Sequence, residues 1–354
     1  MSTTLITVER VTEVEHHPNA DRLDIITVLG YKVITGRDQF KVDDTAIYFP
    51  PDILITPAKA EELGVAKYLK HAFYPKTDQN ETNGKTQCRV SACRLRGIPS
   101  HGFVKGPVDL HCLGLDVTTQ YGGVKYEPPV RLNGGNAARS LTTFHAYTDI
   151  ENVQRYPNLI PEGMAVRITE KLHGTNCRLG LVLDDGEFKL VAGSMTVRRK
   201  SGDGLYWEPM DEAIMNLLTE LCDEKHSVVV FGEIFGSGIQ DLDYGRTDHS
   251  FRVFDISVDG VYLDWDAILV ACGPCGVHPV PLLYIGPYHA KLVEELTYGP
   301  TVVSDAEDIR SKFKGREGVV VTSLYEQVAP MGGRMIVKSV SADYRDRKGA
   351  KDTA

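Results

Sequence analysis

No stretch of this chain is long and apolar enough to cross a bilayer as a helix. Its most extended apolar segments, such as 267–277, fall well short of the ~20 residues that a membrane-spanning helix needs, so membrane insertion is not expected. Cationic charge is also scarce. Lys and Arg total 39 against 48 Asp and Glu, a net charge of −9, which excludes a protein that coats a polyanion by bulk electrostatics. The seven cysteines are odd in number and scattered, at 88, 93, 112, 177, 222, 272 and 275, so reduced thiols are expected in place of a disulfide framework. The first ten residues lack a basic start followed by an apolar run and a small-residue cleavage site, and an intracellular location is the expectation. What remains is ordinary globular material. The chain is 42% hydrophobic and 25% charged over 354 residues, which at about 150 residues per domain predicts two domains.

The charge is unevenly divided. Residues 1–58 hold five basic and nine acidic side chains, a net −4, whereas residues 59–105 hold nine and four, a net +5. The basic stretch carries Lys67, Lys70, His71, Lys76, Lys85, Arg89, Arg94, Arg96 and Lys105, interleaved with Tyr68, Phe73, Tyr74 and Phe103. That mixture suits a surface that tracks a nucleic-acid backbone and stacks bases; a merely solvated face has the same composition. Short β-rich runs at 5–14, 23–29, 31–35, 45–49, 88–95 and 101–104 are punctuated by Gly30, Gly36, Pro50-Pro51 and Gly97, and a small β-barrel is their natural closure. His17-Pro-Asn-Ala-Asp-Arg-Leu23, Ala46-Ile-Tyr-Phe-Pro-Pro-Asp52 and Arg94-Leu-Arg-Gly-Ile-Pro-Ser-His-Gly102 resemble the OB-fold tRNA-binding domains attached to aminoacyl-tRNA synthetases. The resemblance implies an RNA-binding OB domain at 1–108.

Residues 109–139 are rich in Gly and Pro (Gly122-Gly123, Pro128-Pro129, Gly134-Gly135) and read as a linker to a second domain at 140–354. There, strands are predicted at 165–171, 177–183, 228–234, 251–258, 261–265, 318–323 and 335–340. Asp259-Gly260 is a hairpin turn between two of them. Ile214, Leu217, Leu218 and Leu221 predict a helix after Pro209, and Ser304-Asp-Ala-Glu307 forms a capping box for another that ends before Gly315. The fold class is α+β with largely antiparallel sheets.

Five elements carry chemistry, in order. Glu170-Lys171-Leu172-His173-Gly174-Thr175-Asn176 puts a lysine at a strand end before a glycine turn, where its amine can project into a groove instead of lying along a surface. Such a lysine is a nucleophile once nearby cations, a metal or desolvation favour loss of its proton. Phe231-Gly-Glu233-Ile-Phe-Gly236 ends a buried-type strand with a carboxylate, and Phe251-Arg-Val-Phe254-Asp255-Ile256 offers a stacking ring. Arg316-Glu317-Gly318-Val319-Val320-Val321 starts a strand with a second carboxylate, and Val337-Lys338-Ser339 supplies a cation. Singly, each is as well explained by a solvated acid, a core ring or a surface charge. Together they resemble the motifs of the covalent nucleotidyltransferase superfamily of DNA ligases, RNA ligases and messenger-RNA capping enzymes. With His173 where DNA ligases and capping enzymes have Asp, the set looks like the ATP-dependent, nick-sealing RNA ligase branch with an N-terminal OB domain.

The resemblance implies an N-terminal OB-fold β-barrel followed by an antiparallel-sheet, ATP-grasp-like adenylyltransferase domain, a monomer. It implies three steps: Lys171 takes AMP from ATP, the AMP passes to an RNA 5′-phosphate, and a 3′-OH seals the ends. Catalysis would rest on Lys171, Glu317 and Lys338. Glu170 and the neighbouring backbone at Leu172 would read adenine, Phe254 would stack on it, and Glu233 would bind the ribose. Lys338 would hold the α-phosphate, Asn176 the adenylate phosphate, and Arg198 or Arg199 the 5′-phosphate. Glu317, with Glu233, would serve Mg²⁺ or Mn²⁺ through water. The partner would be nicked duplex RNA or an RNA–DNA hybrid, and the process RNA repair.

Two departures stand out. The family's closing Lys-x-Lys is Ile336-Val-Lys338 here, with Arg334 the nearest basic substitute, and the sixteen residues after Lys338 are too few for a C-terminal OB domain. The competing readings are a GTP-using capping enzyme, a DNA ligase, and an RNA- or tRNA-binding protein with an inactive transferase. Cys272-Gly-Pro-Cys275 with His278 lacks a fourth zinc ligand and a redox-fold context, and reads as a reduced turn. His16-His17 reads as a strand-to-turn position in preference to a metal pair.

Overall fold

A computed structural model describes residues 5–73, 86–126, 136–202, 204–222, 226–303, 315–329 and 333–347. The chain divides into two compact units, residues 2–130 and 131–351. The predicted helix at 304–314 lies outside the described residues, as do Tyr74, Lys76, Lys85 and positions 127–135 of the expected linker.

In the first unit a curled five-stranded sheet runs in the order Phe103–Val108, Thr45–Phe49, Thr7–His16, Leu23–Val28, Tyr31–Gly36. Leu29 and Gly30 both take positive φ, 49° and 71°, the left-handed pair that a two-residue hairpin requires. The two edge strands are joined through 100–101: the His101 amide donates to the Lys32 carbonyl at 2.8 Å, and the Ile34 amide to Ser100 Oγ at 3.0 Å. A second sheet pairs Val124–Lys125, Ile53–Ile55, Thr86–Arg89 and Lys70–Phe73 in that order. The predicted single strand 88–95 is broken: Thr86–Arg89 lies in this sheet, whereas Cys93–Leu95 pairs with Ile98–Ser100 in a separate two-stranded hairpin. The segment read as a linker from 109 is also partly built into this unit. Val117 and Leu115 hydrogen-bond to Ile6 and Val8, Tyr121 is buried beside Phe49, and Val124–Lys125 adds a strand. Gly114 and Gly122, with φ 80° and 61°, mark turns between packed apolar residues there.

In the second unit a five-stranded sheet has the order Glu151–Asn152, Ile336–Val340, Gly318–Ser323, Ala165–Lys171, Leu282–Pro287. A six-stranded sheet has the order Arg198–Arg199, Glu187–Ser194, Thr175–Asp184, Val228–Gly236, His249–Val258, Val261–Tyr262. Every pairing is antiparallel except Glu151–Asn152 on Ile336–Val340. The helix Glu212–Leu221 starts at Asp211, whose carboxylate accepts from the Ile214 amide at 2.9 Å, and it buries Ile214, Leu217 and Leu218. The strand predicted at 261–265 ends at Tyr262, because Trp265 opens the helix Trp265–Cys272 and inserts its ring into the core. Asp259 and Gly260 form the predicted turn, with φ 48° and 83°.

A buried charge cluster ties the two sheets together. Asp255, on one sheet, accepts from Arg167 on the other at 2.7 Å, from Arg334 at 2.8 Å, and from the Tyr147 hydroxyl. Arg334 also forks onto Glu326 at 2.7 and 2.8 Å and lies 3.7 Å from the Tyr262 ring centroid. Each buried charge is therefore met by an opposite charge, which is the condition for burying it at all.

Candidate active site

Strand alternation decides what faces what. On Ala165–Lys171, Val166 and Ile168 point into one core, so Arg167, Thr169 and Lys171 point the other way, toward the six-stranded sheet. Antiparallel register puts Lys171 opposite Gly318 and so brings Glu317, one residue earlier, beside it. Lys171 Nζ meets Glu317 Oε1 at 2.6 Å. The lysine is partly exposed and the glutamate buried, with side-chain exposures of 24% and 5%. Glu317 Oε2 is buried, makes no hydrogen bond among the described residues, and lies 3.9 Å from His173 Nδ1. Lys338 lies on the same face, in the cross-strand row Thr169, Val320, Lys338.

The turn after Lys171 is held tightly. A Cβ on Gly174 would stand 2.1 Å from the Ile234 carbonyl and 3.1 Å from Glu233 Cγ, so only glycine lets the strand Val228–Gly236 come this close and place Glu233 against the turn. Asn176, Glu233 and Arg252 then form one row across three neighbouring strands. Asn176 Oδ1 is buried without a hydrogen bond among the described residues. Leu172 is buried in the adjoining core.

His173 is the pivot of this turn. Its amide donates to the Tyr244 hydroxyl at 2.6 Å, its Nε2 lies 2.9 Å from Asp241, and its Nδ1 lies 2.6 Å from the Tyr344 hydroxyl. Because a carboxylate only accepts, Nε2 carries the proton, and in the neutral ring Nδ1 accepts from Tyr344. Arg347 Nη2 donates to both Asp241 oxygens, at 2.9 and 2.8 Å. Burial alone would raise the Asp241 carboxyl, but the His173 hydrogen bond and the Arg347 charge outweigh it and hold it below its ordinary range. Burial and the charge of Glu317 push the Tyr244 hydroxyl well up.

Other expected residues hold contacts of their own. The Glu170 carboxylate points away from Lys171 and accepts from Thr301 Oγ1 and the Val302 amide, at 2.5 and 2.9 Å. Burial raises its pKa despite both bonds. Phe254 is the extra residue of a β-bulge, where Phe231 pairs with Asp255 and Gly232 with Val253, and its half-buried ring packs on Tyr147 at 4.8 Å. Arg198 and Arg199 form a short strand beside Ala192 and Gly193; their Nε atoms are buried without a hydrogen bond among the described residues. Arg199 lies 5.1 Å from the Tyr206 ring, whose hydroxyl is 3.3 Å from Thr175. Arg334 does not serve as the substitute cation, because it is buried on Asp255 and Glu326. Ile336 sits in the row of Arg167 and Thr322, where a lysine would face a cation already in place.

Two further motifs are structural. Cys272 ends a helix and is buried, which pushes its thiol up to about 11, and Cys275 sits 3.4 Å from Glu220, so a proton-bearing pair results. His16 bonds Asp24, whereas both His17 nitrogens engage backbone, at Leu95 and Asn19. Among the described residues no group of three or more His, Cys, Asp or Glu is arranged to hold a metal. Among them no helix is long and apolar enough to cross a membrane. Sequence reading missed Asp241, Tyr244, Tyr344 and Arg347. No motif marks them; the one available signal was a cluster of Asp, Tyr and Arg in otherwise unassigned loops.

A strand-end lysine paired with a buried glutamate, between two antiparallel sheets and preceded in the chain by an OB-fold unit, defines a nucleotidyltransferase of the ligase type. The RNA ligase family model matches residues 164–340, half of the chain, and an OB-fold domain model matches residues 5–107. The chain belongs to the RNA ligase family. No curated protein matches it. Its structure is similar to that of a lysine-to-alanine variant of Naegleria gruberi RNA ligase with ATP and Mn, with TM-score 0.66 and 23% identity over 97% of this chain and 100% of that one. It is likewise similar to a lysine-to-alanine variant of Naegleria gruberi RNA ligase R4a in the apo state (TM-score 0.65, 23% identity, 98% and 100% covered) and to Naegleria gruberi RNA ligase with PPi (0.64, 22%, 97% and 98%). At such identities the likeness speaks for the fold.

Proposed function

We propose that this protein is an ATP-dependent RNA ligase that seals 3′-OH and 5′-phosphate ends at nicks in duplexes, with residues 1–108 as an RNA-binding OB domain and 140–354 as the adenylyltransferase. The observation that carries the reading is the Lys171–Glu317 pair at 2.6 Å beside the Gly174 turn. In the first step Lys171 Nζ, having lost a proton, forms a bond to the α-phosphorus of ATP, and the bond to the β-phosphate oxygen breaks, releasing pyrophosphate. An oxygen of an RNA 5′-phosphate then attacks the same phosphorus, and the phosphorus–nitrogen bond to Lys171 breaks. Finally a 3′-OH attacks the activated 5′-phosphate and AMP leaves.

The side chains would serve these steps as follows. Lys338, on the face of Lys171, would hold the α-phosphate. Glu233 would take the ribose hydroxyls and Asn176 Oδ1 the adenylate in the sealing step; Phe254 would stack on adenine. Arg198 and Arg199, with unused Nε donors, would receive the 5′-phosphate. The buried, unbonded Glu317 Oε2 fits a divalent cation, and with no cluster of three acidic or imidazole ligands among the described residues such an ion would keep most of its waters. When bound, it would neutralise charge that builds on the phosphate oxygens. Mg²⁺ and Mn²⁺ both suit an oxygen site of this kind, and the Naegleria ligase structures with Mn support the choice.

The test is incubation with labelled ATP and Mg²⁺. A covalent adduct stable to base and labile to acid is expected from the natural chain and none from Lys171→Ala. Label transfer from GTP in place of ATP would favour a capping activity, and no adduct from any nucleotide overturns the enzyme reading. Sealing assays on duplexes with RNA or DNA on each side of the nick then define the substrate.

A further inference from the structure

The last described residues of the chain reach back to the catalytic turn from both sides. Ser341 donates its amide to the Glu317 carbonyl at 2.9 Å and its hydroxyl to the Arg316 carbonyl at 3.2 Å, and the same hydroxyl caps the helix Ala342–Asp346 by accepting from the Tyr344 amide at 3.1 Å. From that helix the Tyr344 hydroxyl reaches His173 Nδ1, two residues after the nucleophile, while Arg347 grips Asp241, which holds the opposite nitrogen of the same ring. One short element thus touches the backbone that carries Glu317 and the side chain that shapes the Lys171 turn.

We infer that Ser341, Tyr344, Arg347 and Asp241 form a latch that positions Lys171 against Glu317 for nucleotide attack; the inference rests on the ligase reading above. None of the four touches the reacting atoms, so they are positioning residues. Tyr344 and Asp241 clamp the imidazole at both nitrogens, leaving the ring no freedom to rotate, and Arg347 joins the two sides of the clamp, its Nη2 shared between both Asp241 oxygens and its Nη1 donating to the Tyr344 carbonyl, a two-nitrogen span that a lysine reproduces only in part. Removing either clamp lets the turn relax. The amine would then leave the line of attack, while ATP and RNA still find their sites.

The latch predicts an effect confined to the first chemical step. Tyr344→Phe and Arg347→Ala should slow lysine adenylation in single turnovers at saturating ATP about 10- to 100-fold, the loss that a misplacement near 1 Å brings. ATP affinity should stay at the natural value, and so should sealing of a nicked RNA duplex supplied already adenylated, which needs no lysine attack. Arg347→Lys should recover part of the rate. Hydrogen exchange over residues 171–176 should rise in Tyr344→Phe and Arg347→Ala, and this readout reports the latch whatever nucleotide the enzyme uses. Unchanged exchange and an unchanged adenylation rate in both variants overturn the latch. So does a parallel loss of ATP binding and of pre-adenylated sealing, which marks a purely structural contact. Failure of the natural chain to form an adduct strikes the ligase reading instead, and the exchange experiment still decides the latch.

Discussion

Asp255 accepts from Arg167, Arg334 and Tyr147 at once, fully buried between the two sheets of the second unit. Burial would raise its carboxyl, but Arg334 and then Arg167 outweigh that and hold it below the ordinary range. Asp255→Ala leaves two buried guanidinium groups short of a counter-charge, and should cost about 3–5 kcal/mol in urea unfolding. The pH dependence follows from the lowered pKa. The stabilisation is fully present above the unfolded-state value of about 3.9 and is lost as pH falls through the folded-state value. The stability gap between the natural chain and Asp255→Asn should therefore be constant near neutrality and shrink below about pH 4, in urea titrations at successive pH values. At Ile336, 3% exposed on the Arg167 face, restoring a lysine should lower the thermal midpoint without raising the adenylation rate, because a buried ammonium would face existing cations.

The strand and turn elements that carry the motifs were legible because each signal is local. Ala165–Lys171, Gly318–Ser323 and Thr45–Phe49 are β-branched or aromatic runs with turn residues at their ends, and Asp259-Gly260 needs only its own dihedral angles to form a hairpin. Glycine at 174 is required by a tertiary contact that the sequence does not name. The structure shows the Ile234 carbonyl there. Gly174→Ala should push that strand and Glu233 outward and slow adduct formation about 100-fold, measured with labelled ATP against an unchanged circular dichroism spectrum. Less legible were short edge strands such as Val124–Lys125 and Arg198–Arg199, which are strands only because a neighbour offers hydrogen bonds. The bulge at Phe254 also escaped notice, since a one-residue insertion in the pairing leaves no mark on composition.

Across the whole molecule, each unit has its own hydrophobic clusters, around Phe49 and Tyr48 in the first and around Trp265 and Val321 in the second. Both tryptophans, Trp207 and Trp265, fall in the second unit. Tryptophan fluorescence should then follow that unit alone, and Asp255→Ala should shift its urea midpoint while leaving unshifted the part of the circular dichroism change that belongs to the OB-fold unit. The sequence by itself determined the order of the two units, the strand-end lysine and the carboxylates spaced along the chain to meet it, because motif residues and strand ends are written in adjacent letters. Only the tertiary structure decided that Glu317 pairs with Lys171, that Glu170 turns away to Thr301, that Arg334 is committed to Asp255, and that the helix Ala342–Asp346 grips His173. Those outcomes depend on register and on the approach of distant backbones, and a strand shifted by one residue would turn every one of these side chains to the other face.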